Sequence, residues 1–124
     1  MTEPLQPVAR LLVACLCAQW CDACREYRAV FDELAARFAS AADFAWLDIE
    51  DEADALGDID IENFPTLLIA RGDAALFLGP VTPQAQTAER LVRHALAGAL
   101  ASLEPGAEAG DLAVRVRRAA RIAP

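Results

Sequence analysis

The sequence predicts a single α/β domain on a mixed sheet of about four strands, with helices on both faces, in the order β-α-β-α-β-β-α. Three observations carry that expectation. A continuous apolar run, VARLLVACLC at residues 8–17, has the length and the Val and Leu content of a buried strand. The segment after it carries apolar residues at three- and four-residue steps, the period of an amphipathic helix. Further on, PTLLIAR and AALFLG stand on either side of Gly72-Asp73, a hairpin signal.

Each element follows from its own pattern. From Asp22 onward, Cys24, Tyr27, Phe31, Leu34, Ala35 and Phe38 share one helical face, and the helix should end near Ser40. Asp22 lies in its first turn, where a negative charge suits the helix dipole. DFAWLDIE, residues 43–50, reads as the second strand, followed by a short helix around 51–56 that Gly57 ends, then a loop. The first two β-α-β units call for crossovers between parallel strands, and the last two strands form an antiparallel hairpin. Thr82 as N-cap and Pro83 at the first helical position open a helix running to about Leu103, with Leu91, Ala95, Leu96 and Leu100 inward. EPGAEAGD, residues 104–111, reads as a linker, and LAVRVRRAARIAP as a tail whose pattern fits either a helix or disorder. The domain is therefore expected over residues 1–103, with 104–124 as linker and arginine-rich C-terminal tail.

At 124 residues the chain supports one core, and its 56% hydrophobic content speaks against disorder. The net charge of −8, with every one of the 11 basic residues an arginine, argues against nucleic acid or an anionic membrane surface as partner. Glu3 and two prolines stand where a signal peptide would carry its basic region. The apolar stretch LLVACLCA falls far below the ~20 residues that span a bilayer. These features predict a cytoplasmic protein that acts as a monomer. In that compartment a Cys-x-x-Cys pair is catalytic or metal-binding rather than a structural staple.

All four cysteines lie in CLCAQWCDACREY, residues 15–27. Trp20-Cys21-Asp22-Ala23-Cys24-Arg25 sits at a strand-to-helix junction. Cys21 falls at the helix N-terminus, where free N–H groups and the positive dipole end favour a thiolate. Cys24 is one turn later, close enough for a disulfide with Cys21, so the placement suits a reactive, reversible pair. A metal site would need Cys15, Cys17, Cys21 and Cys24 to converge as four thiolates around zinc, and their spacing is not a usual zinc spacing. The expectation is no metal. Cys15 and Cys17, two apart on one strand, face the same side and read as buried small hydrophobes.

The segment WCDACR after an apolar strand resembles the thioredoxin family, whose motif is Trp-Cys-Gly-Pro-Cys-Lys. NFPTLLIA, residues 63–70, is similar to the family's strand start with a cis-proline packed against the cysteines, and Gly79 is a third match. The resemblance covers roughly residues 8–103. It implies a thioredoxin-like fold that lacks the first β-α unit, since only residues 1–7 precede Val8. It also implies thiol–disulfide exchange with protein or peptide thiols and disulfides. Cys21 would be the attacking thiol and Cys24 the resolving one. Trp20, Phe64, Pro65 and Thr66 would line the substrate groove, with the backbone beside Pro65 pairing an extended segment. No bound cofactor is implied, and electrons come from an upstream thiol reductant.

The departures from the family are specific. Cys15 stands where the family has a buried aspartate, Cys17 where it has a tryptophan, and Trp46 where it has a lysine. The Asp–Lys pair that helps deprotonate the resolving cysteine is thus absent, and apolar surroundings disfavour a charged Cys24. Asp22 opposes a second negative charge beside Cys21, and Arg25 partly offsets it. Cys15, in the aspartate's place, could also act as an alternative disulfide partner for Cys24. The rival reading of the whole chain is a redox-inactive thioredoxin-fold binding or assembly module.

Two charge runs remain. Residues 48–62 hold eight acidic and no basic side chains, Asp48 and Glu50 among them, and read as a solvated face. Arg115, Arg117, Arg118 and Arg121 read as a solvated terminus, the alternative being a segment that docks on the acidic run. His94 is expected at the surface, and Phe44 and Trp46 in the core.

Overall fold

The computed structural model describes residues 10–57, 59, 61–103 and 108–122. Eight elements run in the order β1 (Leu11–Cys17), α1 (Asp22–Phe38), β2 (Ala42–Asp48), α2 (Ala53–Leu56), β3 (Thr66–Arg71), β4 (Ala74–Pro80), α3 (Ala85–Leu96) and α4 (Glu108–Ala119). The sheet is mixed, four-stranded and ordered β2-β1-β3-β4. Expected strand residues 8 and 9, and residues 104–107 of the expected linker, lie outside the described residues.

β1 is fully buried along its length because the sheet is covered on both faces. Its alternate residues Leu11, Val13, Cys15 and Cys17 meet α1 and α3, and Leu12, Ala14 and Leu16 meet α2 and α4. The buried side of α1 is Cys24, Tyr27, Phe31, Leu34 and Phe38, almost the face read from the periodicity. Phe44 and Trp46 pack against the same cluster.

β1 and β2 run parallel, as the first crossover requires. β3, expected parallel, is antiparallel to β1. The cause is the length of α2. Its four residues climb about 6 Å, against roughly 20 Å for a seven-residue strand. The chain therefore stays at the end of the sheet where β2 stops, and β3 starts there, with Thr66 opposite Leu16. This places the Phe64-Pro65-Thr66 segment beside the end of β1 that leads to the cysteines. Gly72 turns the β3–β4 hairpin with φ +63°, a conformation that costs glycine nothing.

α3 is shorter than expected. It begins at Ala85 behind Gln84 rather than at Pro83, and it ends at Leu96 rather than near Leu103. Gly98 adopts φ +76°, Gly98 N–H donates to Ala95 O (3.1 Å), and Ala99 N–H donates to His94 O (2.8 Å). That Schellman closure satisfies the last carbonyls and stops the helix. His94 is exposed.

The arginine-rich tail is not a solvated terminus. It forms α4, whose Leu112, Ala113 and Val116 are completely buried on the sheet face that the short α2 cannot cover alone. Two of its arginines dock, while Arg118 and Arg121 are exposed. Arg117, 5% exposed, donates to Asp43 Oδ2 (3.0 Å) and to Arg10 O (2.8 Å). Arg115 donates to Ala55 O at 2.6 Å, at the end of the helix inside the acidic run. Docking on that run was the alternative reading of the tail. Among the described residues of that run, Arg115 meets the Ala55 and Leu56 carbonyls. Gly110 lets α4 approach the hairpin, because a Cβ at that position would sit 2.5 Å from Asp73 O.

Candidate functional site

The site lies where β1 ends and α1 begins. After Cys17 the chain turns through Ala18, Gln19 and Trp20, and Cys21 N–H donates back to Ala18 O (3.0 Å). The turn is also held from β2, because Gln19 N–H donates to Asp48 Oδ2 (2.8 Å). Asp48 further accepts from Glu50 N–H (2.8 Å) and Asp51 N–H (3.2 Å). This member of the acidic run therefore fixes the loop that carries the cysteines. Its position at the strand end just across from Cys17 was the signal available in the sequence.

Cys21 is the N-cap of α1, in extended backbone, and its side chain is partly exposed. Asp22 ion-pairs with Arg25, and Arg25 Nη1 also donates to Gln19 O (2.7 Å). The pair neutralises the carboxylate next to Cys21 and ties the first helical turn to the loop. Trp20 is 62% exposed and meets Phe64 edge to face. Phe64 and Pro65 are joined by a cis peptide, as the sequence resemblance implied. Pro65 and Thr66 are buried, and Thr66 Oγ1 donates to Asn63 O (2.5 Å). The structure thus brings Trp20 and Phe64 into contact, with Cys21 and Phe64 packed against the same core cluster.

The cysteines pair differently from the expected Cys21–Cys24 arrangement. The disulfide in the structure joins Cys17 to Cys24, with Cα atoms 5.7 Å apart, and Cys21 is free. The reason is burial. Cys24 opens the inward face of α1 and is 1% exposed, so its sulfur meets the end of β1, where Cys17 faces the same layer. Ala18 N–H donates to Cys24 Sγ (3.4 Å). The alternative partner foreseen for Cys24 was Cys15, but Cys15 Sγ lies against Cys17 Sγ at 3.6 Å. Burial pushes the Cys15 thiol up to about 12, with the Arg28 charge pulling weakly the other way. A tetrathiolate centre would need the four sulfurs to converge, and no cluster of three or more metal-ligating side chains occurs among the described residues.

Two further residues complete the surroundings. Arg28 lies 4.8 Å over the Trp46 ring, beside the strand position opposite Cys15. An open cavity of about 480 Å³ is lined by Gln19, Cys24, Arg28, Trp46 and Asp48 among others. Neither Arg28 nor this cavity was singled out from the sequence. An arginine one turn after Cys24 was the available signal.

The mixed four-stranded sheet, the cis-proline strand and a Cys-x-x-Cys at the helix start define a thioredoxin fold. The chain belongs to the thioredoxin family, whose model matches residues 3–93. It is 35% identical over 63 residues to thioredoxin H2-1 of rice, Oryza sativa subsp. japonica, a match over 51% of this chain and 45% of that one. The chain thus spans less than half of that curated relative. Among solved structures, the germline-specific thioredoxin Deadhead of Drosophila melanogaster superposes with a TM-score of 0.62 at 19% identity, over 68% of this chain and 80% of that chain. The thioredoxin of Nicotiana alata gives 0.61 at 20%, over 68% and 72%. That of Fasciola hepatica gives 0.58 at 21%, over 73% and 81%. No helix among the described residues is long and apolar enough to cross a membrane.

Proposed function

We propose that this chain is a thiol–disulfide oxidoreductase that exchanges disulfides with protein or peptide partners, with Cys21 as nucleophile and Cys24 as resolving thiol. The observation that carries the reading is the position of Cys21. It is the one cysteine that is not buried, it caps the N-terminus of α1, and it directly follows Trp20, whose ring meets Phe64 of the cis-proline segment. Attack of its thiolate on a partner disulfide gives a mixed disulfide, which Cys24 resolves.

Substrate would lie along the cis-proline segment as an added strand. Pro65 O already accepts from Val81 N–H (3.0 Å), so the backbone of Phe64 is the edge on offer. Trp20 and Phe64 would clasp the partner's side chains. An upstream thiol system in the cytosol would return the electrons, with the chain acting as a monomer.

The test is trapping. Cys24→Ser should accumulate a mixed disulfide between Cys21 and a disulfide-bonded peptide, and Cys21→Ser should form none. Equal inertness of wild type and both variants toward peptide disulfides would instead identify a binding module on a thioredoxin fold.

A further inference from the structure

We propose that Cys17 is a third catalytic cysteine, to which Cys24 transfers its disulfide, so that the oxidised chain rests as Cys17–Cys24 with Cys21 restored as a free nucleophile. This rests on the exchange reading above and extends it.

The geometry sets Cys24 between two partners. On one side it lies a helical turn from Cys21, where side chains three residues apart are neighbours. On the other its sulfur is bonded to Cys17. Cys15 is not placed for that role, because its sulfur lies against Cys17 Sγ while Cys24 Sγ is engaged by Cys17. Ala18 N–H, aimed at Cys24 Sγ, offers a hydrogen bond to the negative charge on that sulfur when Cys24 is the attacking thiolate.

Starting from the reduced chain, one turnover balances with the partner disulfide as the oxidant, and a dithiol reductant must reopen the chain before the next. Cys21 thiolate attacks one sulfur of the partner disulfide, breaking that S–S bond, and the other partner sulfur leaves as thiolate and takes up a proton. Cys24 thiolate then attacks Cys21 Sγ, forming Cys21–Cys24 and expelling the second partner thiol. Cys17, after losing its proton, attacks Cys24 Sγ. The Cys17–Cys24 bond forms, the Cys21–Cys24 bond breaks, and Cys21 leaves as thiolate. The partner gains two electrons and the chain loses two. The last step only moves the disulfide from the cleft to the core.

This arrangement gives the oxidised chain a property that a Cys21–Cys24 disulfide lacks. Its surface thiol can still attack a second partner disulfide, but Cys24 is engaged and cannot resolve the product. The oxidised chain would therefore hold a second partner covalently until a dithiol reductant opens the buried bond.

The experiment oxidises the full chain with a disulfide-bonded peptide, quenches it in acid, alkylates free thiols and maps the bonds by mass spectrometry. The expected result is a Cys17–Cys24 bond with Cys21 alkylated. In Cys17→Ala and Cys17→Ser the bond should move to Cys21–Cys24, and Cys21 alkylation should fall at least roughly tenfold. Using both variants guards against misfolding of either one. In Cys21→Ser, oxidation at Cys17–Cys24 by the peptide should slow by at least roughly tenfold, since entry is through Cys21. Oxidised wild type with only Cys21–Cys24 and an alkylated Cys17 overturns the proposal and leaves the exchange function intact. Failure of wild type to reduce the peptide at all would instead remove the exchange reading itself.

Discussion

Trp20 stands edge-on to Phe64, with ring centroids 5.6 Å apart and planes at 88°. One ring comes from the loop before the helix and the other from the cis-proline segment, so the contact joins the two walls of the cleft. An edge-to-face pair contributes about 0.5–1.5 kcal/mol beyond its burial, or roughly two- to tenfold in an equilibrium. Trp20→Ala removes this contact and an exposed ring on which a partner side chain could pack, so KM for a peptide disulfide should rise roughly severalfold. Exchange with a small disulfide that cannot reach Phe64 should be nearly unchanged. Equal losses on both substrates would show that Trp20 acts on the cysteines rather than on the partner.

Cys15 is expected to be chemically silent. With the thiol raised to about 12 by burial, roughly one part in ten thousand is thiolate at pH 8. Iodoacetamide at pH 8 should label Cys21 in the reduced native chain and leave Cys15 unlabelled, and Cys15→Ala should leave turnover unchanged. Labelling of Cys15 at the pace of Cys21 would contradict its place in the core.

Asp43 links stability to acid. Burial alone would raise its pKa, but hydrogen bonds from Arg117 and Arg10, with their charges, hold it below the usual carboxylate value. A depressed folded-state value contributes stability that is present above the unfolded pKa, near 4, and is lost as pH falls through the folded value. Asp43→Asn should flatten the pH dependence of unfolding below about pH 4. Near neutrality it should cost roughly 3 kcal/mol, because the buried Arg117 loses a carboxylate. Urea unfolding curves for both chains between pH 2 and 7 measure this, and parallel pH profiles would refute it.

The docking of α4 should be stringent. Leu112→Ala should cost roughly 2–5 kcal/mol, as for other fully buried leucines. Gly110→Val should cost about 1–3 kcal/mol, because the new Cβ meets the Asp73 carbonyl and the helix must shift from the hairpin. Both should lower the urea midpoint without changing its slope. A neutral Gly110→Val would mean that the helix rides free of the turn.

The parts of the fold legible in the sequence are those governed by strong local periodicity. The buried face of α1 can be read from Cys24 to Phe38, and the cis-proline strand from Phe64-Pro65-Thr66. What escaped depended on tertiary placement. The segment ending in Arg121 looks solvated because its arginines are frequent and its leucines few. Yet Leu112 and Val116 find an uncovered sheet face, and Arg117 finds Asp43. The antiparallel entry of β3 followed from how little distance α2 covers. The Cys17–Cys24 bond was hidden because Cys-x-x-Cys spacing suggests only the pair within the helix. Which sulfur Cys24 faces depends on where the strand end stops, and spacing does not encode that.

The hydrogen bond from Arg117 to the Arg10 carbonyl spans 107 positions of sequence. A ribosome making this protein releases β1 and the cysteines long before α4 exists. Until then only the short α2 covers Leu12, Leu16 and Leu68 on that side of the sheet. Closure of such a distant contact is among the slowest steps open to a chain of this size. For part of its biogenesis the polypeptide therefore carries a solvent-accessible apolar sheet next to four reduced thiols. Chaperone dependence and oxidative misassembly of the newborn chain should both trace to the timing of that one helix.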